Sequence, residues 1–200
     1  MSGQSEQSEQ SVTIRRITQD EGAAVVDLWD RMCQAVVAGF PPTDPHIDGG
    51  PLRPCGRRNL RRMLEIAAFH RETFCLVAVR PGAGDAGEEI VGFAMGRIDA
   101  GDGLLPGFGG EAEELYAADD GVRRMLAEAV VERLEAAGAQ TVRCSVAADE
   151  PESQAFWAGL GFEADMVTLS RYRSGPCPGC GAQVGRISWS GGVTPARRRE

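Results

Sequence analysis

The chain has 200 residues, 42% hydrophobic and 25% charged, the make-up of a folded globular protein with room for one domain and a tail. A net charge of −8 argues against a general nucleic-acid binder and against an anionic membrane surface as partner, since both need a basic face. No apolar run approaches the roughly 18 residues of a membrane-spanning helix, and Met1–Gln10 lacks the apolar stretch of a secretory signal, so the expected location is cytoplasmic.

Residues 1–10 read as a flexible polar leader. Val12–Ile17 alternates as a first strand. Thr18 to Glu21 has capping-box spacing, and Val25, Leu28, Trp29, Met32 and Val36 repeat on one helical face behind it. Pro41–Gly56, rich in Pro, Gly and Asp, reads as a loop. Arg57–His70 is a second helix, with Leu60, Met63, Leu64 and Ala67 inside and Arg58, Arg61, Arg62 and Glu65 outside.

The period then changes. Thr73–Arg80 and Ile90–Asp99 form an antiparallel hairpin around a Gly-rich loop. Glu111–Ala118 is a fourth strand. Asp120–Ala137 is a long helix striped by Val122, Met125, Leu126, Ala129, Val130 and Leu134 and stopped at Gly138. Thr141–Ala147 is a strand, Pro151–Gly159 a short helix and Glu163–Arg173 a last strand. Residues 111–147 have the form of a parallel strand–helix–strand crossover, so the sheet should be mixed, with helices on both faces. Residues 174–200 read as an irregular tail.

This order carries four blocks: Val91-Gly92-Phe93, Glu113-Glu114-Leu115-Tyr116-Ala117, Gly121-Val122-Arg123-Arg124-Met125-Leu126, and Ala155-Phe156-Trp157-Ala158-Gly159-Leu160-Gly161-Phe162. Together they resemble the GNAT superfamily of acyl-CoA-dependent N-acyltransferases, from about Val12 to Tyr172. The resemblance implies an α/β (α+β) domain over 11–173. Its central sheet would be mixed and mostly antiparallel, with a V-shaped cleft between the fourth and fifth strands held open by a bulge on the fourth. It also implies acetyl-CoA as acyl donor. The pantetheine arm would lie on the backbone of Leu115, Tyr116 and Ala117. The pyrophosphate would sit at Gly121, Val122, Arg123 and Arg124, where unpaired N–H groups and the helix dipole favour an anion. Trp157 would be a further residue of the cofactor site.

Three positions depart from the family. Ala118 stands where a polar or basic residue is usual and Arg123 where Gly or Ala is usual, and the connection from Tyr116 to Gly121 is short. Asp119 and Asp120 fit helix capping and would repel a diphosphate. Trp157 occupies the place of a tyrosine that can protonate the leaving thiolate; indole N–H is no acid near neutral pH, and packing is the simpler role.

Amine acylation needs a proton acceptor. The resemblance points to Glu111 first, with Glu113 second; strand alternation puts these two on one face and Glu114 on the other. Solvated acidic residues at a strand start are the alternative. His46 and His70 fit surface positions. Six arginines against Glu65 between Arg53 and Arg71 suggest either a clamp for an acidic group or the solvated face of an amphipathic helix, which their spacing favours. All basic residues are arginine, so no weight rests on arginine having been preferred to lysine. Cys177 and Cys180 have the spacing of half a zinc site without a second pair, and zinc is not expected.

The leading expectation is transfer of an acyl group to the amine of a small-molecule or peptide acceptor by a monomer or homodimer. The alternative is a binding or regulatory module that keeps the fold without the chemistry.

Overall fold

The computed structural model describes residues 11–38, 54–82, 87–99, 108–117, 119–146 and 151–165, and short strand segments at 175–176, 183–184, 186–188 and 192–194. Strand β1 is Thr13–Arg16. A 3-10 turn, Gln19–Glu21, leads into helix α1, Gly22–Ala38. Helix α2 is Pro54–Phe69, β2 Thr73–Pro81, β3 Glu88–Asp99, β4 Phe108–Ala117, α3 Asp120–Ala136, β5 Ala139–Cys144 and α4 Pro151–Ala158. Five strands make one sheet in the order β1-β2-β3-β4-β5. Every neighbouring pair is antiparallel except β4–β5, which is parallel and joined through α3. The mixed, mostly antiparallel sheet and the crossover therefore stand as the sequence implied.

Alternation along the strands divides the core into two layers. Phe74, Leu76, Ala78, Ala94 and Ala112 face α3 and α4, where they meet Leu126, Val130, Leu134 and Trp157. Cys75, Val77, Val79, Phe93 and Met95 face α1 and α2, where they meet Val25, Leu28, Leu60 and Leu64. The chain thus covers both sheet faces with helices.

Local chemistry sets the helix starts. The Thr18 N–H donates to Glu21 Oε2 at 2.8 Å, one arm of the expected capping box. Glu21 also takes two hydrogen bonds from Arg15, and that guanidinium pulls its carboxyl down to about 2. Asp30 of α1 is buried and paired with Arg57 of α2. At the far end of α3, Gly138 takes φ +100°, the left-handed stop that a side chain would strain.

Several expectations change. Helix α2 begins at Pro54, not Arg57, because proline suits a first helical turn whose N–H has no partner anyway. Met63 and Met125 are exposed; Ala127 takes the buried place on α3, a rotation of the stripe by less than one turn. Strand β5 ends at Cys144 and not at Ala147. Residues Glu163–Asp165 carry no strand, and the rest of the expected last strand lies outside the described residues. The tail contains two small antiparallel ladders, Gly175–Pro176 with Gln183–Val184 and Arg186–Ser188 with Gly192–Thr194, where an irregular segment was expected. Among the described residues no helix is long and apolar enough to cross a membrane.

Gly92 shows how tightly β3 and β4 approach. A Cβ there would lie 2.8 Å from both the Tyr116 carbonyl oxygen and Leu126 Cδ1. Gly92→Ala is expected to lower stability by about 1–3 kcal/mol through overpacking. The midpoint of urea unfolding measures it; an unchanged midpoint would show that β4 retreats freely.

Candidate active site

The site begins with a mismatch between two ladders. On β3, Ala94 pairs with Leu115 and Gly96 with Ala112, so Glu113 and Glu114 together oppose Met95 alone. That is a β-bulge on β4, one residue longer than its partner. On the other side, β4 pairs with β5 only from Phe108–Ala139 to Ala112–Cys144. Among the described residues, the pairing with β5 stops where the bulge begins, and Glu113–Ala117 pairs with β3 alone. Among the described residues, the backbone N–H and C=O groups of the Leu115–Ala117 stretch that point to the β5 side have no strand partner. The bulge that the resemblance implied is present, and among the described residues the β4–β5 ladder ends beside it.

The bulge also reassigns a side chain. Ala112 packs toward α3, and so do Leu115 and Ala117, while Tyr116 packs toward α1 and α2. Odd and even positions therefore exchange faces across the bulge. Glu114 shares the face of Tyr116, two residues on, and hence the face of Glu111 and Glu113. The expectation that Glu114 lies opposite is corrected, because simple alternation holds only in an unbroken ladder.

Arg97 of β3 organises this face. Its Nε donates to Glu113 Oε1 at 2.9 Å and its Nη2 to Glu111 Oε2 at 2.6 Å. These carboxylates, Glu113 foremost, raise the proton affinity of Arg97. Glu113 Oε2 is buried without a hydrogen-bond partner among the described residues. Glu114 has a different setting. Burial, and next the charge of Glu113, push its carboxyl above the usual value. Two carboxylates thus share the Arg97 guanidinium, and Glu114 lies beside them, close enough to feel the charge of Glu113.

The N-terminus of α3 lies at the open end of β4. Asp119 is its N-cap: Oδ1 accepts from Val122 N at 2.8 Å. Its other oxygen, Oδ2, is 3.3 Å from Nη2 of Arg80 on β2. The capping role expected for Asp119 holds, and Asp120 becomes the first helical residue. Gly121 is exposed, and only the Asp119 carboxylate comes within 4 Å of where its Cβ would stand. Arg123 points away from this end. It donates to Ser153 Oγ at 3.2 Å and lies 4.2 Å over the Phe156 ring, tying α3 to α4. Arg124 pairs with Glu128 one turn along the exposed face of α3. Trp157 is 7% exposed and edge-on to Phe162, a core position.

Elsewhere, the arginines of α2 follow the solvated-face pattern. Arg57 meets Asp27 and Asp30, Arg61 meets Glu65, and Arg58 and Arg62 are exposed. His70 is exposed. His46, Tyr172, Cys177 and Cys180 lie outside the described residues. Sequence reasoning missed Arg80 and Arg97, whose roles depend on partners in other strands or loops.

No family model matches the chain, and no curated protein matches it. Solved structures do. The aminoglycoside N-acetyltransferase AAC(6')-Iy in complex with CoA superposes with a TM-score of 0.56 at 17% identity, covering 84% of this chain and 98% of that one. Glucosamine-6-phosphate N-acetyltransferase from Arabidopsis thaliana gives 0.53 at 13% identity, over 82% and 99%. A transcriptional regulator from Bacillus halodurans C-125 gives 0.55 at 17% identity, over 82% and 100%. The fold is that of the GNAT acetyltransferases.

The cap yields a direct expectation. Asp119→Ala should cost about 0.5–2 kcal/mol of stability, while Asp119→Asn should cost little, since asparagine caps comparably. Thermal unfolding of the two variants measures this; equal losses would remove the capping role.

Proposed function

We propose that the chain is an acyl-CoA-dependent N-acyltransferase, with acetyl-CoA as donor and a small-molecule amine as acceptor. The observation that carries the reading is the β4 bulge at Glu113–Glu114, which coincides with the end of the β4–β5 ladder. It supplies two things a thioester aminolysis needs in one place: unpaired backbone for the donor, and carboxylates on the face toward α1 and α2. Two structural neighbours bear names of amino-sugar acetyltransferases, which supports a small amine as acceptor.

In this reading the donor's amide-bearing arm hydrogen-bonds along Leu115, Tyr116 and Ala117. The acceptor nitrogen attacks the thioester carbonyl carbon. Its C–N bond forms, the oxygen takes charge beside β4 backbone N–H, and the C–S bond then breaks to release CoA thiolate. The proton lost by nitrogen goes to a carboxylate. Glu111 and Glu113 were the candidates from the sequence, and both are engaged by Arg97. Glu114, whose proton affinity burial and Glu113 raise and which makes no hydrogen bond to Arg97, is the better proton acceptor of the three. We therefore assign Glu114 as base, with Glu111, Glu113 and Arg97 as its electrostatic setting. Trp157 supplies no acid, so the thiolate leaves unassisted by that position.

A second reading is a GNAT-fold binding or regulatory module. The Asp119 carboxylate on Val122 N–H and the engagement of Arg123 and Arg124 elsewhere favour it.

Calorimetric titration with acetyl-CoA and a thiol-release assay over a panel of amino sugars and polyamines decide between them. The enzyme reading expects micromolar binding and release of one thiol per amine acylated. Glu114→Gln should lower kcat/KM by about 10²–10⁴ and abolish the acid limb of its pH profile. A larger loss from Glu111→Gln or Glu113→Gln would move the base to that residue. A folded protein that ignores millimolar acetyl-CoA would leave the binding-module reading.

A further inference from the structure

We propose that the hollow at the C-terminal end of α3 is a second ligand site, apart from the acyl-transfer site and independent of it, and that it takes a small carboxylate with a body the size of one ring.

The hollow measures about 220 Å³ and is lined by Arg71, Phe74, Ile98, Arg133, Ala136 and Ala137. Four segments meet there: the turn after α2, the start of β2, the end of β3 and the last turn of α3. Phe74 and Ile98 belong to the sheet face that packs on α3. The carboxylates around Arg97 lie on the opposite face. The N-terminus of α3 is about 25 Å away along its 17 residues.

Positive charge gathers in this hollow. The Arg133 guanidinium lies 4.9 Å over the Phe74 ring, a contact that holds the cation against the wall. Arg71 stands across from it, just past the end of α2. Arg16 donates to the carbonyls of Ala67 and His70, which fixes the chain that leads into Arg71. Burial, and next the charge of Arg133, lower the proton affinity of Arg16, so these two cations are close enough to repel. Among the described residues neither Arg71 nor Arg133 forms an ion pair, although Glu72 and Glu132 are their chain neighbours. The dipole of α3 offsets part of the charge of Arg133 in its last turn. It accounts for neither Arg71 nor the repulsion of Arg16. In a chain with 29 acidic residues against 21 basic ones, this gathering of cations without a carboxylate leaves room for an anion from outside.

The walls select which anion. Ile98, Ala136 and the Phe74 ring offer no donors, and the Ala137 N–H is already bonded to carbonyls of α3. A phosphate dianion would lose water against these groups without gaining partners for all its oxygens. A carboxylate sets one charge and two oxygens against the guanidinium forks and covers the apolar walls with its body. An apolar cavity of about 150 Å³ holds a benzene, so the volume here admits one ring.

NMR titration with sodium benzoate tests this, against sodium chloride of equal ionic strength and with benzamide and inorganic phosphate as comparison probes. The amide signals of Arg71, Ile98 and Ala137 should shift and saturate with benzoate, at a dissociation constant on the order of 1 mM for so small a ligand. Benzamide and phosphate should bind at least tenfold more weakly. Arg71→Gln and Arg133→Gln should each weaken benzoate at least fivefold, Arg133→Lys should weaken it less, and Ala136→Leu should abolish binding by filling the hollow with both arginines in place. All three positions are exposed, so these chains should keep the fold, and unchanged signals elsewhere verify it. Benzoate that leaves the three amides unmoved, or that binds the Gln variants or Ala136→Leu as well as the wild type, would overturn the proposal. Phosphate binding as tight as benzoate would make the hollow a general anion patch and overturn it as well.

Discussion

Between Ala112 and Leu115, β4 carries one residue more than β3 can match, and much of the molecule's working geometry follows from that surplus. A bulge raises the local twist and breaks the pairing pattern. Here the ladder to β5 ends at the same point. The strand cannot satisfy both neighbours, so it stays with β3 and parts from β5. Among the described residues the parting leaves β4 backbone groups without a strand partner, and the shifted parity brings a third carboxylate onto the face of Glu111 and Glu113. The end of the β4–β5 ladder and the grouping of carboxylates thus have one cause.

The arginines sort themselves around this centre. Arg97 is committed to two of the carboxylates, Arg123 to the α3–α4 contact, Arg124 to a surface pair and Arg57 to the buried Asp30. Removing a partner from a buried charge costs far more than a surface pair contributes, so Arg57 serves the fold. Arg80 meets the N-cap carboxylate of Asp119 at the start of α3.

Much of this architecture was legible in the residues. The helical stripes of Leu60, Leu64 and Ala67 and of Val122, Leu126, Val130 and Leu134 marked which faces are buried, and the β-rich runs Thr73–Arg80 and Ile90–Asp99 marked the hairpin. The capping role of Asp119 followed from its place before an apolar stripe. What stayed hidden depends on pairing between segments. The face of Glu114 turns on a bulge whose existence is a relation between β3 and β4. The partners of Arg97 lie 14 and 16 residues away, and no local period encodes them. The role of Arg123 became plain only once Ser153 and Phe156 stood beside it. The order of blocks pointed to the GNAT fold, and the site's departures from the family pattern needed the structure to be read.

The central claim is that the unpaired edge of β4 is where the acyl donor lies. Amide hydrogen exchange with and without acetyl-CoA tests it most directly, read at Leu115, Tyr116 and Ala117. The account predicts that acetyl-CoA slows exchange at these residues and leaves Phe108–Ala112, already paired with β5, unchanged. Exchange at Leu115–Ala117 that is the same in the presence of saturating acetyl-CoA would contradict it.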